Sequence, residues 1–221
     1  MQKAASGPVI PSGYVTDGLA FFLDGLQLVS ASQWTDIVGG RTFELIDCVK
    51  ADPGILFNGS TSKGLYNGAI TGDWENETIE AAIAGTSGGE ARCVLGQPYQ
   101  NGSVGISLLL SAADRGKRSA VLGIDGAAHV CKWFASDSKT VSARAGLCVA
   151  NKTVVSNTQN VTATRNETNT TTLGMRVVED NFTLALFSGT IYAIRVYDRK
   201  LTEAEMIQNQ QADIDRYGIT I

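Results

Sequence analysis

The sequence predicts an all-β protein, built as a two-sheet antiparallel β-sandwich with one short helix at its C-terminal end. Short apolar or β-branched runs recur along the 221 residues and are separated by clusters of Gly, Asn, Asp and Ser, which is the pattern of strands joined by turns. Glycine is frequent, with 24 residues, and only one segment has the apolar spacing of an amphipathic helix. Because strand-like segments from both halves of the chain are needed to fill one sandwich, we expect a single core.

Ten segments are predicted to be strands, because each is apolar or β-branched and is bounded by residues that favour turns. They cover residues 19–23, 41–45, 54–57, 78–83, 104–110, 120–124, 130–134, 154–155, 171–178 and 190–197. Asn58-Gly59 and Asn67-Gly68 are typical of the turns between them, since both residue types tolerate a positive φ. The last segment alternates two sets of side chains, Ile191, Ala193 and Arg195 against Tyr192, Ile194 and Val196. This alternation predicts a strand with one buried face.

The helix is predicted over Thr202 to Arg216. Thr202 and Glu205 match the capping box, in which each side chain accepts a hydrogen bond from a backbone amide at the start of the helix. Four side chains at helical spacing form the expected inner face, namely Met206, Ile207, Gln210 and Ile214. Gly218 follows as the expected end of the helix.

Composition and charge exclude several classes of partner. The chain has 18 Lys and Arg against 22 Asp and Glu, a formal net charge of -4, so we expect no binding to nucleic acid. Its apolar runs are strand-sized, so we expect no insertion into a membrane. The four cysteines contain no C-x-x-C pair, and we expect buried thiols rather than a zinc or redox site. The first residues lack the apolar core of a secretory signal.

Three segments resemble the laminin-G-like, concanavalin A-like jelly-roll domains of bacterial surface proteins and bacteriophage virion proteins. The first is residues 18–25 followed by Trp34-Thr35-Asp36-Ile37-Val38-Gly39, the second is residues 54–59, and the third is residues 189–205. Asn209 and Asp213 follow the third segment at the offsets of the family. The resemblance implies a jelly-roll domain over residues 17–221, preceded by an N-terminal extension at residues 1–16.

The resemblance also implies a candidate Ca²⁺ site at the rim of the sandwich and no other cofactor. Asp24 and Asp36 are the candidate ligands, since Ca²⁺ prefers carboxylate and carbonyl oxygens that converge from adjacent loops. The alternative is that both aspartates accept hydrogen bonds from backbone amides within their own turns.

A glycan-binding surface is predicted around Trp133. A pyranose has one apolar face and a polar rim, so its recognition requires an exposed aromatic ring with hydrogen-bonding neighbours. If Trp133 points outward from its strand, it can stack on a sugar, with Tyr99, Gln100 and Asn101 as loop partners. The alternative is that Trp133 belongs to the core.

One alternative to a glycan-binding protein is an enzyme that hydrolyses glycans. Glu75, Glu77 and Glu80 loosely match the paired carboxylates of hydrolases built on a related sandwich, although retaining hydrolysis needs two carboxyls about 5 Å apart in an open cleft. His129, the only histidine, cannot form a catalytic triad by itself, and the sequence contains no G-x-S-x-G nucleophile motif.

The resemblance therefore implies a non-enzymatic virion structural and adhesion module of a bacteriophage. Its partners would be a cell-surface glycan and other virion subunits, bound weakly at each contact and strongly through many copies. Two alternatives stay open at this point: the hydrolase, and a purely structural assembly subunit that binds further copies of itself as a homo-oligomer. The expected location is the virion, with the bacterial surface or secretion as alternatives.

Overall fold

The computed structural model describes residues 9–70, 76–85, 92–96, 107–111, 117–124, 127–135, 139–144, 146–156, 170–178, 182–184 and 186–221. Side chains are described in these ranges except at residues 92, 107–135, 155, 156, 176–178 and 182–184. The secondary structure of the described ranges consists of strands, one short 3₁₀ turn and one α-helix.

The first sheet contains eight strands. They are β1 (Leu19–Asp24), β4 (Val49–Lys50), β5 (Ile55–Asn58), β7 (Thr78–Gly85), β12 (Thr140–Arg144), β13 (Leu147–Ala150), β14 (Thr153–Ser156) and β18 (Ser188–Tyr197). Their order is β14-β13-β12-β7-β18-β5-β4, and β1 also pairs with β18. A 3₁₀ turn, Gly25–Gln27, follows β1 directly.

The second sheet also contains eight strands. They are β2 (Gln33–Thr35), β3 (Thr42–Ile46), β6 (Lys63–Tyr66), β8 (Arg92–Gly96), β9 (Ser107–Ser111), β10 (Lys117–Ile124), β11 (Ala127–Ala135) and β15 (Thr171–Leu173), in the order β11-β10-β9-β8-β15-β6-β3-β2. A separate hairpin joins β16 (Arg176–Val178) to β17 (Phe182–Leu184). The single predicted strand at 171–178 is therefore two strands, interrupted at Gly174, which has a φ of 70°.

Both sheets are antiparallel, and the first and last strands of the chain pair with each other. Leu23 of β1 lies opposite Ile194 of β18, and Phe22 lies opposite Arg195. The predicted all-β sandwich with one C-terminal helix is thus confirmed. The boundary drawn at residue 16 stays a prediction, although Tyr14 and Val15, just before it, are buried.

An apolar inner core fills the space between the two sheets. Phe21 from the first sheet lies edge-on to Phe43 from the second, with ring centroids 6.0 Å apart. Ile55, Ile79 and Ile194 are also fully buried in this cluster. Apolar side chains from both sheets meet here because each sheet gains stability by removing one face from water.

A second buried cluster lies on the outer face of the first sheet, beneath the helix α1 (Glu203–Tyr217). It joins Phe22 and Tyr197 from the sheet to Met206 from the helix and to Tyr14 from the segment before β1. The molecule therefore has three layers: the second sheet, the first sheet, and the helix with residues 13–16.

The helix has the ends that the sequence predicts. The Thr202 side chain accepts from the Glu205 amide, the Glu205 carboxylate accepts from the Thr202 amide, and Gly218 ends the helix at a φ of 65°. Met206 and Gln210 are buried on its inner face as predicted, but Asn209 and Asp213 are buried there too, whereas Ile207 and Ile214 are only half-buried. In the described part of the chain, no helix has the length and apolar character needed to span a bilayer.

The last strand also differs in its alternation. A bulge between Ile191 and Ala193 places two consecutive residues, Tyr192 and Ala193, on the outer side. Ile191 and Ile194 consequently both face the inner core, and Arg195 faces the helix. The regular alternation predicted across this strand is therefore wrong, because one inserted residue shifts its phase.

The three cysteines whose side chains are described are thiols. Cys93 and Cys148 are buried, and Cys48 is half-buried. Burial raises the pKa of the Cys48 thiol to about 11, so this group is protonated at neutral pH.

Candidate functional site

A charged cluster lies fully buried between β18, β7 and α1. The guanidinium of Arg195 donates from Nη1 and Nη2 to the two carboxylate oxygens of Asp213, each at 2.6 Å, and from Nε to Oε2 of Glu80 at 2.9 Å. Its Cζ lies 4.6 Å from the ring centroid of Tyr14 and 5.2 Å from that of Phe22. Bidentate pairing and stacking are the geometries in which an arginine is best accommodated away from water.

The pKa values in this cluster reflect burial and mutual charge. Burial raises the pKa of Glu80 above its ordinary value, against the opposing charge of Arg195. Burial alone would lower the pKa of Arg195, but the negative charges of Asp213 and Glu80 outweigh it and raise the pKa. Arg195 therefore stays charged and neutralises part of the negative charge around it.

Neutral amides extend this cluster across the helix. Asn209 donates to Glu80 at 2.9 Å and to the Tyr197 hydroxyl at 3.0 Å, and it accepts from the Val15 amide at 2.8 Å. Gln210 donates to the Ser142 hydroxyl at 2.8 Å and to a backbone carbonyl of β13 at 2.9 Å. The network is an internal one that holds the helix to the sheet.

Asp24 is a second buried carboxylate, at the end of β1. It accepts from the Leu26 amide at 3.0 Å, from Gln27 at 3.1 Å and from the Tyr217 hydroxyl at 3.0 Å. Arg216 donates to both of its oxygens. Asp24 thereby joins the 3₁₀ turn to the last turn of α1.

Asp36 has a similar set of partners in the loop between β2 and β3. It accepts from the amides of Phe22, Val38 and Gly39 at 2.8–2.9 Å and from Nε of Arg41 at 2.8 Å. An arginine faces each of the two predicted Ca²⁺ ligands, and this arrangement does not fit a bound cation. Within the described ranges, no three His, Cys, Asp or Glu side chains are grouped so as to hold a metal.

The predicted glycan surface lies largely outside the described residues. Tyr99, Gln100 and Asn101 are outside them, and Trp133 is described only as part of the backbone of β11. β11 ends the strand order of the second sheet at the side opposite β2. The assignment of these four residues to glycan binding stays a prediction.

The candidate hydrolase carboxylates are also only partly described. Glu75 lies outside the described residues, Glu77 is buried just before β7, and Glu80 accepts from Arg195 beneath the helix. Glu80 consequently faces α1 rather than an open cleft, which removes it as the third carboxylate of such a site.

A surface depression of about 420 Å³ is one candidate binding site in the described part of the chain. It lies between the 3₁₀ turn and the loop from β4 to β5, and it is lined by Gly25, Leu26, Lys50, Ala51 and Asp52. A Cβ atom at Gly25 would lie 2.7 Å from the Cα of Gly54, so the two turns meet through glycine backbone. Lys50 donates from Nζ to the Leu28 carbonyl at 3.0 Å across the depression.

This depression was not predicted from the sequence. Its signals are local: Asp24-Gly25 and Pro53-Gly54 each mark a turn, and the two turns are more than 25 residues apart in the chain. The two turns meet because β1 and β5 both pair with the same edge of β18. No local sequence pattern encodes this pairing.

Searches with protein-family models and among curated protein sequences give no match. Among solved structures, the chain is similar to a Trypanosoma rangeli sialidase in complex with sialic acid, with a TM-score of 0.66 and 16% identity over 95% of this chain and 36% of the sialidase. It is also similar to the binding domain of botulinum neurotoxin serotype D/C, with a TM-score of 0.62 and 12% identity over 89% of this chain and 52% of that domain. The chain thus spans about a third of the one and half of the other.

These similarities correct one prediction. The prediction of a non-enzymatic protein is contradicted, because several of the similar structures are sialidases, which are enzymes. The identities are all low, so the likeness concerns the fold. This chain shares an antiparallel β-sandwich fold with these structures.

Proposed function

We propose that this chain is a carbohydrate-binding β-sandwich. The observation that carries the proposal is the likeness of fold to a sialidase in complex with sialic acid and to a neurotoxin binding domain. A fold by itself does not define a ligand, so the proposal depends on the surface loops of this chain. The formal net charge of the chain is -4, which favours a sugar over a nucleic acid as its ligand.

A finer version assigns the chain to the surface of a bacteriophage particle, where many copies bind a glycan of the host cell. The sequence resemblance of residues 18–25, 54–59 and 189–205 to jelly-roll domains of virion and bacterial surface proteins supports it. Weak single contacts then produce strong attachment through multivalency. Other virion subunits and further copies of the chain are its proposed partners.

A glycan array probed with a tetravalent form of the chain tests the carbohydrate proposal. The expected result is binding to a restricted group of related glycans, with the signal reduced by the matching free sugar. Trp133→Ala tests the predicted aromatic surface, and Trp133→Phe is its matched control because it keeps a ring able to stack. Absence of binding to every glycan would contradict the proposal.

Cleavage is measured on the same sugars, since sialidases share the fold. Release of the fluorescent group from 4-methylumbelliferyl glycosides, including the sialoside, reports hydrolysis directly. If the parent chain cleaves a glycoside, and Glu77→Gln abolishes this cleavage without changing the melting temperature, the chain is a glycan hydrolase that uses Glu77. If the chain binds a glycoside and the glycoside is recovered intact, the chain binds carbohydrate without cleaving it.

A further inference from the structure

The depression between the 3₁₀ turn and the β4–β5 loop is firmly built. On one side, Asp24 fixes the turn through its bonds to the Leu26 amide, to Gln27 and to the helix residue Tyr217. On the other side, Gly54, at a φ of 95°, lies so close to β18 that a Cβ there would be 2.4 Å from the Ile191 carbonyl oxygen. Such a site loses little conformational entropy when a ligand binds.

The depression offers three kinds of contact to a ligand. Leu26 is apolar and 46% exposed, Lys50 is an exposed cation, and Asp52 is an exposed anion. The bond from Nζ of Lys50 to the Leu28 carbonyl orients the ammonium group, which has three N–H donors in all. Asp52 adds two acceptor oxygens.

This combination fits a neutral pyranose. The apolar face of the ring can cover Leu26, one hydroxyl can accept from Lys50, and neighbouring hydroxyls can donate to Asp52. A carboxylated sugar such as sialic acid is attracted by Lys50 but repelled by Asp52, so its charge brings no net advantage. The volume of about 420 Å³ lies within the usual range for small-molecule sites.

We propose that the depression lined by Leu26, Lys50 and Asp52 is a binding subsite for a neutral hexose. This inference rests on the proposed carbohydrate-binding function and assigns it a place separate from Trp133. It predicts selectivity for uncharged sugars at this subsite.

The test is a titration of the ¹⁵N-labelled full chain, followed by NMR, with methyl glycosides of glucose, galactose and mannose, with N-acetylglucosamine, and with methyl α-N-acetylneuraminide as the charged sugar. We expect one of the neutral sugars to shift the backbone amide signals of Gly25, Leu26, Lys50, Ala51 and Asp52. Asp52→Asn and Lys50→Met are each expected to weaken that binding roughly tenfold, because each removes a hydrogen bond to a charged group.

Matched controls remove one charge of the same sign elsewhere. Glu44→Gln on β3 and Lys200→Met before α1 both change exposed residues, and both should leave the affinity unchanged. The melting temperature of every variant is compared with that of the parent chain, so that a loss of binding is separated from a loss of fold.

The outcomes separate the subsite from the function. Binding of a sugar with shifts confined to other residues, or affinities unchanged in Asp52→Asn and Lys50→Met, would overturn the subsite and leave the proposed function standing. Stronger binding of methyl α-N-acetylneuraminide than of every neutral sugar at these amides would overturn the assignment to neutral hexoses. Absence of shifts with every sugar overturns the subsite, and the glycan array then decides the function separately.

Discussion

The two faces of the first sheet are buried in different ways. Its inner face meets the second sheet through apolar side chains such as Ile55, Ile79 and Ile194. Its outer face meets α1 through a charged cluster, in which Arg195 binds Asp213 and Glu80. Apolar packing has little directionality, whereas a bidentate ion pair has one productive geometry. The inner face therefore stabilises the sandwich, and the outer face fixes where the helix lies.

A row of residues across five strands shows how the outer face is organised. Phe22, Arg195, Glu80, Ser142 and Val149 lie opposite one another in successive strands. Three polar residues thus stand side by side between two apolar ones, directly under the helix. The inner and outer faces should respond differently to substitution.

Arg195→Met should have the largest effect. The change leaves the carboxylates of Glu80 and Asp213 buried without their cation, which costs about 3–5 kcal/mol of unfolding free energy. Urea denaturation followed by circular dichroism measures it. Arg199→Met is the matched control, since Arg199 pairs with the partly exposed Glu205 and should lose about 1 kcal/mol or less. Equal losses in the two variants would remove the distinction between the buried and the surface pair.

Asn209→Leu should have the next largest effect, although it nearly conserves volume. It deprives the Val15 amide of its acceptor and Glu80 of a donor, and a buried polar group left without its partner costs about 1–3 kcal/mol. Denaturation measures the loss, and hydrogen exchange should become faster at the Val15 amide. Asn209→Asp is a useful comparison, because it keeps an acceptor for Val15 but places a second carboxylate beside Glu80. An unchanged stability in Asn209→Leu would contradict a stabilising role for the Asn209 hydrogen bonds.

Ile194→Val should have a smaller effect, because the inner core loses a single methylene group. The expected loss is about 0.5–1.5 kcal/mol, measured by the same denaturation experiment. A loss larger than that of Asn209→Leu would reverse the proposed ranking of the two faces.

Glu205→Gln should have the smallest effect, with a defined dependence on pH. Hydrogen bonds from Arg199 lower the pKa of Glu205 to about 2, from an ordinary value of 4.5. Because the folded state binds this proton less tightly, the carboxylate stabilises the fold above pH 4.5, and that contribution is lost as the pH falls toward 2. The free energy of unfolding of the parent chain should exceed that of the variant by about 1 kcal/mol or less at pH 7 and by almost nothing at pH 2. A difference that is constant with pH would contradict the assignment.

The fold was predictable from local patterns, and the polar interface was not. Turn residues, apolar runs and the Thr202–Glu205 capping box identify the helix and eleven of the described strands within a few residues, but they miss β2, β4, β6, β8, β12, β13 and β17. Helical periodicity assigns apolar residues to the buried face, so it missed Asn209 and Asp213. Arg195 within an apolar strand and Glu80 within another were the available signals. Their pairing joins residues 115 positions apart, which no local pattern encodes.

The candidate binding site was less predictable than the fold. The resemblance made Asp24 and Asp36 candidate Ca²⁺ ligands, with hydrogen bonding inside their turns as the alternative, and the structure shows each accepting from an arginine and from backbone amides. Leu26 and Asp52 were not identified, because an exposed leucine and an aspartate in a turn are common on any surface. Their significance depends on the meeting of two distant turns.

A triple variant tests most directly whether the charged cluster acts as one self-compensating unit. Arg195→Met/Glu80→Gln/Asp213→Asn removes the cation and both anions while keeping amide oxygens near the donors of Ser142 and Tyr14. If the cost of Arg195→Met comes from two carboxylates left without their cation, the triple variant should be more stable than Arg195→Met alone by about 1 kcal/mol or more in urea denaturation. A triple variant that is less stable than Arg195→Met would contradict this account.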